Sequence, residues 1–417
     1  MSKQKTVVEL FTEKAKLSAD RQQTVDLLVR ITPPKIEKIE SNRPKLNLSI
    51  VLDRSGSMEG GKMKRAREAA KYCIDNLLPT DRLSTVIFDH KVEILFPSQM
   101  IENKDFLKRQ IDRIHARGST ALHEAWVCGG LEVSRYLDDD AINRVLLITD
   151  GLANVGETNP DRIVLQSRQL AARGVSTSTI GIGSDFNEDL LMPMAEASGG
   201  NAWHVEKSED LTRIFAVELE GLIAQVGHNV TLGVKPMSGA VVTDVLNDFE
   251  IDASGRYKLP NLLAGSPLDI VIRLRVPANA KGVKTALAEI DLTFINQDSK
   301  ETEVVKNTFE IEFDSAEAVE SLPENTEVVK AVQFLMNARA RREAVERMDR
   351  LDFDGARSIL KQISDSTEIL CSRLSSSDIK EELEELIRLE ELLKDRRHDK
   401  IGRKRMMYSS YRLRRNR

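Results

Sequence analysis

The chain has 417 residues, of which 41% are hydrophobic, so it is long enough to form two or three domains with sizeable cores. Its 61 Lys and Arg against 66 Asp and Glu give a formal net charge of −5, and no apolar run is long enough to span a membrane. Three scattered cysteines exclude a disulfide framework and a cysteine-ligated zinc module. The N-terminus lacks the apolar core of a signal peptide, so we expect a cytoplasmic protein.

Residues 1–44 and 227–320 share a pattern typical of β-strands. Val, Ile and Leu alternate loosely with polar residues in 6–32, and short apolar segments separated by Gly, Pro and Asn follow residue 227. An isolated pair of N-terminal strands would be only marginally stable. We therefore predict that both segments build one antiparallel β-sandwich, into which the domain between them is inserted.

Residues 45–226 alternate between strand and helix patterns. The nearly continuous apolar runs Leu46–Leu52 and Arg144–Thr149 are typical of strands that are buried on both faces of a parallel sheet. Helical spacing of apolar residues follows the first run, as in Lys62–Leu78. This alternation predicts a doubly wound α/β domain, with helices on both faces of the sheet.

The C-terminal part of the chain is predicted to be helical. Residues 321–397 show apolar residues at helical spacing, which indicates a helical hairpin or small bundle. Residues 398–417 form a basic tail, and 396–417 contain ten Lys or Arg but one acid. Such a tail can bind nucleic acid or another anionic surface. Alternatively it solubilises the chain or docks onto it, with Tyr408 and Tyr411 packing against the helices.

Hydroxyl and acidic side chains follow the two buried strands. The set is Asp53, Ser55 and Ser57 after the first strand, Asp150 after the second, and Thr120 between two helices. Ligands of open α/β sheets bind at the carboxyl ends of the strands, so these side chains converge if the two strands are neighbours. All five offer oxygen, which suits Mg²⁺, Mn²⁺ or Ca²⁺ rather than zinc or copper. The alternative is that Asp53 and Ser55 merely cap the following helix.

The ordered set resembles the metal-ion-dependent adhesion site (MIDAS) of von Willebrand factor A (VWA) domains, whose motif is Asp-x-Ser-x-Ser, then Thr, then Asp. Over residues 46–224, the segments VLDRSGSM, GSTALHEA and VLLITDGLANVG look like family segments. The resemblance implies that Ser55 and Ser57 ligate the metal directly and Thr120 directly or through water. It implies that Asp53 and Asp150 act largely through water and hydrogen bonds.

The resemblance also implies a function. We expect an intracellular, bacterial-type scaffold or adaptor, not an enzyme, whose metal binds an Asp or Glu side chain of a protein partner. VWA proteins of microbes work beside MoxR-type AAA+ ATPases, which makes such an ATPase a candidate partner. Two alternatives stay open: a Mg²⁺-dependent hydrolase or phosphoryl-transfer enzyme, for which the sequence identifies no general base, and nucleic-acid or anionic-surface binding by the basic tail.

Overall fold

The computed structural model describes residues 5–35, 43–151, 155–393 and 400–415. The chain divides into two compact units. We call Lys38–Ala224 the central unit, and Met1–Glu37 together with Gln225–Arg417 the flanking unit. Within the described ranges, no helix combines the length and the apolar character that crossing a membrane requires.

The described residues form strands and helices in the following order. The strands are β1 (Val7–Thr12), β2 (Lys16–Ser18), β3 (Gln23–Thr32), β4 (Lys45–Asp53), β5 (Arg82–Phe88), β6 (Val92–Met100), β7 (Ala141–Thr149), β8 (Ser176–Ile182), β9 (Ala202–Val205), β10 (Gln225–Pro236), β11 (Val241–Val245), β12 (Tyr257–Lys258), β13 (Leu262–Leu263), β14 (Leu268–Val276), β15 (Lys284–Asn296) and β16 (Thr302–Asp314). The helices are α1 (Gly61–Asn76), α2 (Lys104–Asp112), α3 (Leu122–Ser134), α4 (Pro160–Ala172), α5 (Glu188–Ser198), α6 (Leu211–Ile223), α7 (Ala316–Glu320), α8 (Thr326–Asp349), α9 (Phe353–Leu374), α10 (Ser377–Leu392) and α11 (Lys400–Arg415).

The central unit contains one sheet with the strand order β6-β5-β4-β7-β8-β9. Strand β4 pairs in parallel with both β5 and β7, so that Ile50 lies between Thr85 and Leu146. The α/β fold predicted from the sequence is therefore confirmed. Strand β6 was not predicted, and it runs antiparallel to β5 at one edge of the sheet. Its weak apolar alternation and Pro97 hide it in the sequence, but an edge strand tolerates proline because half of its backbone is unpaired.

Helices cover both faces of this sheet. Ile50 and Leu52 of β4 contribute to a core that they share with apolar residues of α1, α2 and α6. Val51 points to the other face, where α3 packs. A Cβ atom on Gly129 of α3 would lie 2.3 Å from Val51 Cγ2, so glycine is what allows this helix to approach so closely. The carboxyl ends of β4 and β7 thus meet at one edge of a doubly covered sheet.

The flanking unit contains two further sheets, ordered β1-β3-β14-β11 and β12-β10-β15-β16-β2, with β13 also paired to β10. The N-terminal β3 is antiparallel to β14, and Val29 lies opposite Ile270. The two sheets bury one common core, to which Val29 and Ile270 contribute from the first sheet and Ile290 and Phe309 from the second. Strands from before and after the central unit therefore stabilise each other through direct pairing.

The helical C-terminal region predicted from the sequence is confirmed. Helix α8 covers the outer face of the first sheet, where Leu28 and Val271 pack against Val328 and Leu335. A separate apolar core lies between the long helices. It contains Ala344, Val345, Met348, Ala356, Leu360, Leu386, Leu389, Leu393 and Met406. The helices are therefore packed on the sheet and on each other through apolar side chains.

The segment described from the sequence as a basic tail is a docked helix over the residues that the structure describes. Tyr408 and Tyr411 of α11 are buried, and the Ser410 hydroxyl donates to the carbonyl of Ala338 on α8 at 2.7 Å. Arg403 pairs with Asp349 at 2.9 Å. Of the alternatives that the sequence left open for this segment, Lys400–Arg415 follows the docked one, because its apolar and aromatic face is covered by α8.

Candidate metal centre

Asp53 ends strand β4 and is completely buried. Its Oδ1 accepts a hydrogen bond from the backbone N–H of Ser55 at 2.8 Å, and its Oδ2 accepts one from the Thr149 hydroxyl at 2.5 Å. Burial raises the pKa of Asp53 to about 6, although the hydrogen bonds from Thr149 and Ser55 oppose this shift. This carboxylate therefore links the ends of the neighbouring strands β4 and β7.

The two serines lead from Asp53 to Asp150. Ser55 is 2% exposed, and its Oγ lies 3.1 Å from the Oγ of Ser57. The Ser57 hydroxyl donates to Asp150 Oδ1 at 2.7 Å, and Asp150 has no exposed surface. The loop after β4 and the acid after β7 are therefore in direct contact. This agrees with the position of β4 beside β7 in the sheet.

Thr120 completes the set from a third segment. A Cβ atom on Gly151 would lie 3.2 Å from Thr120 Oγ1 and 3.7 Å from Asp53 Oδ2, so both oxygens face the space above this glycine. The segment before Thr120 is tied to the first loop, since the backbone N–H of Gly56 donates to the carbonyl of Gly118 at 3.0 Å. The structure thus brings all five side chains proposed from the sequence to one edge of the sheet.

The alternative in which Asp53 and Ser55 cap the next helix is wrong. Helix α1 begins after Gly60, which has a φ of +78° and no side chain to cap with. Ser55 precedes a short 3₁₀ turn, Gly56–Met58, and its side chain makes no capping hydrogen bond there. The acid and the hydroxyl are therefore not used by a helix terminus.

A third acidic residue at this edge, besides Asp53 and Asp150, was not proposed from the sequence. Asp89 follows β5 and is completely buried, but its carboxylate faces Arg54 Nε at 3.0 Å and Arg117 Nε at 2.9 Å. Burial by itself would raise the pKa of Asp89, but the N–H of Lys91 and the two arginines lower it overall. Its place after a buried strand was a usable signal, because the same argument selected Asp53 and Asp150.

Asp89 holds the two loops that carry the hydroxyls. The backbone N–H of Arg117 donates to the carbonyl of Arg54 at 2.6 Å, and that of Ala121 donates to the carbonyl of Asp89 at 2.7 Å. Side-chain ion pairs and backbone bonds therefore connect the loop of Ser55 with the loop of Thr120. We infer that Asp89 positions the site rather than lining it.

Lys62 was also missed. It stands on the first turn of α1, and its Nζ lies 2.5 Å from Asp150 Oδ2. The sequence contained a signal for Lys62, because a lysine so soon after the Asp-x-Ser-x-Ser loop lies at the same edge of the sheet. The candidate centre thus contains a positive charge besides its acids and hydroxyls.

The donors fit a hard divalent cation. The three hydroxyls and two carboxylates are all oxygen donors, and the Lys62 ammonium shows that a cation is accommodated beside Asp150. In the described parts of the chain, no three His, Cys, Asp or Glu side chains gather closely enough to hold a metal. That is compatible with this centre, because Asp53 and Asp150 are its two carboxylates and its other donors are hydroxyls.

The fold agrees with the family comparison. Residues 47–217 match the model of the von Willebrand factor type A domain, so the central unit contains a VWA domain. The solved structure of a von Willebrand factor type A protein from Catenulispora acidiphila superimposes with a TM-score of 0.73 at 17% identity, over 98% of this chain and 97% of that one. The ArnB paralog VWA2 from Sulfolobus acidocaldarius gives 0.59 at 16% identity, over 98% and 99%. At these identities, the likeness concerns the fold.

Curated relatives match a smaller part of the chain. An uncharacterised protein of Synechocystis sp. is 31% identical over 170 residues, which is 41% of this chain and 40% of that protein. The inter-alpha-trypsin inhibitor heavy chain H2 of Mus musculus is 30% identical over 172 residues, 39% of this chain and 18% of its own length. The chain therefore spans less than half of either relative. VWA domains mediate protein–protein interactions.

Proposed function

We propose that the candidate centre holds a divalent cation, with Mg²⁺ as the first candidate and Mn²⁺ or Ca²⁺ as the alternatives. The observation that carries this proposal is the meeting of two buried carboxylates and three hydroxyls at the carboxyl edge of β4 and β7. Ser55 and Ser57 would ligate through their hydroxyls, and Thr120 directly or through water. Asp53 and Asp150 would hold those hydroxyls and the metal's water molecules.

The proposed role of this centre is to bind a protein partner. When bound, the cation offers a coordination position to an Asp or Glu carboxylate of that partner. Asp53 and Asp150 accept hydrogen bonds on both carboxylate oxygens, from Ser55, Thr149, Ser57 and Lys62. Carboxylates occupied in this way suit holding a cation more than removing a proton, so we propose a scaffold or adaptor rather than a catalyst.

The rest of the chain provides the setting for this role. We interpret the two sheets of the flanking unit as one β-sandwich with the VWA domain inserted into it, in a cytoplasmic protein of bacterial type. A MoxR-type ATPase as the partner stays a prediction from the sequence. The docking of α11, with Met406 and Tyr411 buried, leaves these side chains covered. We therefore do not propose nucleic-acid binding by this segment.

Titration with MgCl₂ tests the metal, and capture of a partner tests the role. We expect the double variant Ser55→Ala/Ser57→Ala to bind Mg²⁺ about 100-fold more weakly in calorimetry, since it loses two ligands. Ser134→Ala, on the exposed side of α3, should bind as the wild type does. A partner retained on the immobilised wild type in Mg²⁺, but lost in EDTA and on the double variant, would support the metal-bridged contact. Equal Mg²⁺ affinity of all three proteins would contradict the proposal.

A further inference from the structure

A lysine ammonium shares Asp150 with the hydroxyl of Ser57. Asp150 Oδ1 accepts the hydrogen bond from Ser57 at 2.7 Å, and Oδ2 accepts one from Lys62 Nζ at 2.5 Å. The Asp150 side chain has no exposed surface, whereas that of Lys62 is 31% exposed. The buried carboxylate is thus neutralised by a cation that solvent can reach.

Two elements place this ammonium. Lys62 belongs to the first turn of α1, and the stem of its side chain lies along Gly183, just after β8. A Cβ atom on Gly183 would be 3.7 Å from Lys62 Cε and 3.8 Å from its Nζ, and the φ of +77° at this position favours glycine. The stem therefore reaches Asp150 across backbone that carries no side chain of its own.

Electrostatics set the ammonium against a metal ion. Ser57 and Lys62 bond to the two oxygens of one carboxylate, so a cation on the Ser57 hydroxyl would be a close neighbour of the ammonium. Like charges repel, and the repulsion is screened weakly where the carboxylate between them is buried. Asp150 carries a single negative charge, so the Lys62 ammonium and a metal ion also compete for it.

We propose that Lys62 is a built-in competitor of the metal for Asp150, and that it sets the affinity of the centre below the value that the five-residue motif alone would give. This inference rests on the proposed metal site and concerns its regulation. Without metal, the ammonium compensates the buried Asp150 and stabilises the loop edge. Metal binding weakens or breaks the Lys62–Asp150 pair, and the ammonium moves toward solvent.

The test compares Lys62→Met with the wild type by calorimetric titration of MgCl₂ at constant ionic strength. We expect Lys62→Met to bind about tenfold more tightly, because a neighbouring positive charge is removed. Lys62→Arg keeps the charge and should stay close to the wild type. Lys64→Met, an exposed lysine on the same helix, is the matched control for a change in net charge and should also match the wild type.

Thermal melting gives a second readout that a purely structural ion pair would not produce. Without metal, Lys62→Met should melt below the wild type, since Asp150 loses its counter-charge. On addition of MgCl₂, its melting temperature should rise by more than that of the wild type, because a ligand that binds more tightly stabilises the folded state more at the same concentration. Lys62→Gln, which retains a polar head, replaces the methionine variant if that variant does not fold.

The outcomes separate this inference from the proposed function. A folded Lys62→Met that binds Mg²⁺ no more tightly than the wild type overturns the competition, while loss of binding in Asp150→Ala leaves the metal site standing. Absence of Mg²⁺ binding in the wild type, in Lys62→Met and in Lys62→Arg overturns the metal site itself. A wild type too weak to measure, beside a Lys62→Met protein that binds, supports the competition.

Discussion

Strand β7 has an ion pair with a buried acid near each of its ends, and the two pairs differ in their access to water. Near its start, Arg144 lies 3.3 Å from Glu218, and their side chains are 3% and 0% exposed. After its end, buried Asp150 pairs with Lys62, which is 31% exposed. An ion pair whose two members are both buried cannot exchange one of them for a ligand, whereas a pair with one solvent-exposed member can. We call the Arg144–Glu218 pair the closed pair. The difference indicates that solvent access, not burial of the acid, distinguishes a candidate ligand site from a structural charge.

The closed pair is completed by protein groups. Glu218 also accepts hydrogen bonds from Ser178 at 2.5 Å, Asn201 at 2.8 Å and Trp203 at 2.8 Å. These donors come from β8, β9 and the residue before β9, so the carboxylate of α6 joins this end of the sheet. A buried ion pair whose carboxylate accepts these further hydrogen bonds holds one arrangement of these elements.

The largest predicted effect therefore falls on the closed pair. Glu218→Gln leaves the Arg144 guanidinium buried without its counter-charge, and we expect a loss of about 3–5 kcal/mol in the free energy of unfolding. Urea denaturation followed by circular dichroism measures it. Glu220→Gln, an exposed residue on the same helix, should change the stability by less than about 0.5 kcal/mol. If both variants were equally stable, the contrast between the two ends of β7 would be wrong.

Asp89 lies between these extremes, and its removal should have an intermediate effect. Of its two arginine partners, Arg54 is buried, with a side chain that is 7% exposed, whereas the side chain of Arg117 is 60% exposed. Arg54 also keeps Glu93, at 2.9 Å, when Asp89 is neutralised. We expect Asp89→Asn to cost about 1–3 kcal/mol of folding free energy. Because the loops of Ser55 and Thr120 lose a tether, Mg²⁺ affinity should fall by about tenfold.

A matched variant shows whether this effect comes from the loops. Glu93→Gln alters the exposed acid of the same cluster, whose side chain is 52% exposed, and should leave both the stability and the Mg²⁺ affinity nearly unchanged. Calorimetry and urea denaturation on the two variants make the comparison. An Asp89→Asn protein that binds Mg²⁺ like the wild type would remove the positioning role and leave Asp89 as a structural residue.

The sequence was sufficient to predict the α/β fold because its buried parallel strands are apolar runs with strong helical patterns between them. Edge strand β6 escaped, since a half-paired strand that contains Pro97 has little alternation. For α11, the sequence left docking onto the chain and a free basic arm open as alternatives. Its basic residues dominate its composition, while Met406, Tyr408 and Tyr411 determine how it packs. Composition therefore describes the solvent-facing part of such a helix better than its contacts.

The five residues of the candidate centre could be selected because acids and hydroxyls at strand ends share one sheet edge. Their role as metal ligands stays a prediction. The spacing of these residues in the sequence could not predict the direction in which each side chain points. Asp53, Asp89 and Asp150 all follow buried strands, yet Asp89 turns to arginines and Asp150 to Ser57 and Lys62. These directions depend on counter-charges from other elements, which no local pattern records.

The smallest predicted effect belongs to an ion pair of the flanking unit whose members are both partly exposed. Arg339 of α8 donates to Asp244 of β11 at 2.5 and 2.8 Å, and their side chains are 23% and 34% exposed. The hydrogen bond from Arg339 lowers the pKa of Asp244. A carboxylate with a lowered pKa stabilises the folded state above its ordinary value of 3.8, and this contribution is lost as the pH falls through the lowered value.

Asp244→Asn should therefore cost no more than about 1 kcal/mol at pH 7, because solvent screens a pair this exposed. The stability difference from the wild type should shrink as the pH is lowered below about 4, where the wild-type carboxyl group also loses its charge. Urea denaturation at pH 7 and pH 3 measures both values, with Glu346→Gln on the exposed side of α8 as the control. A difference that does not change with pH would assign the cost to lost hydrogen-bond geometry.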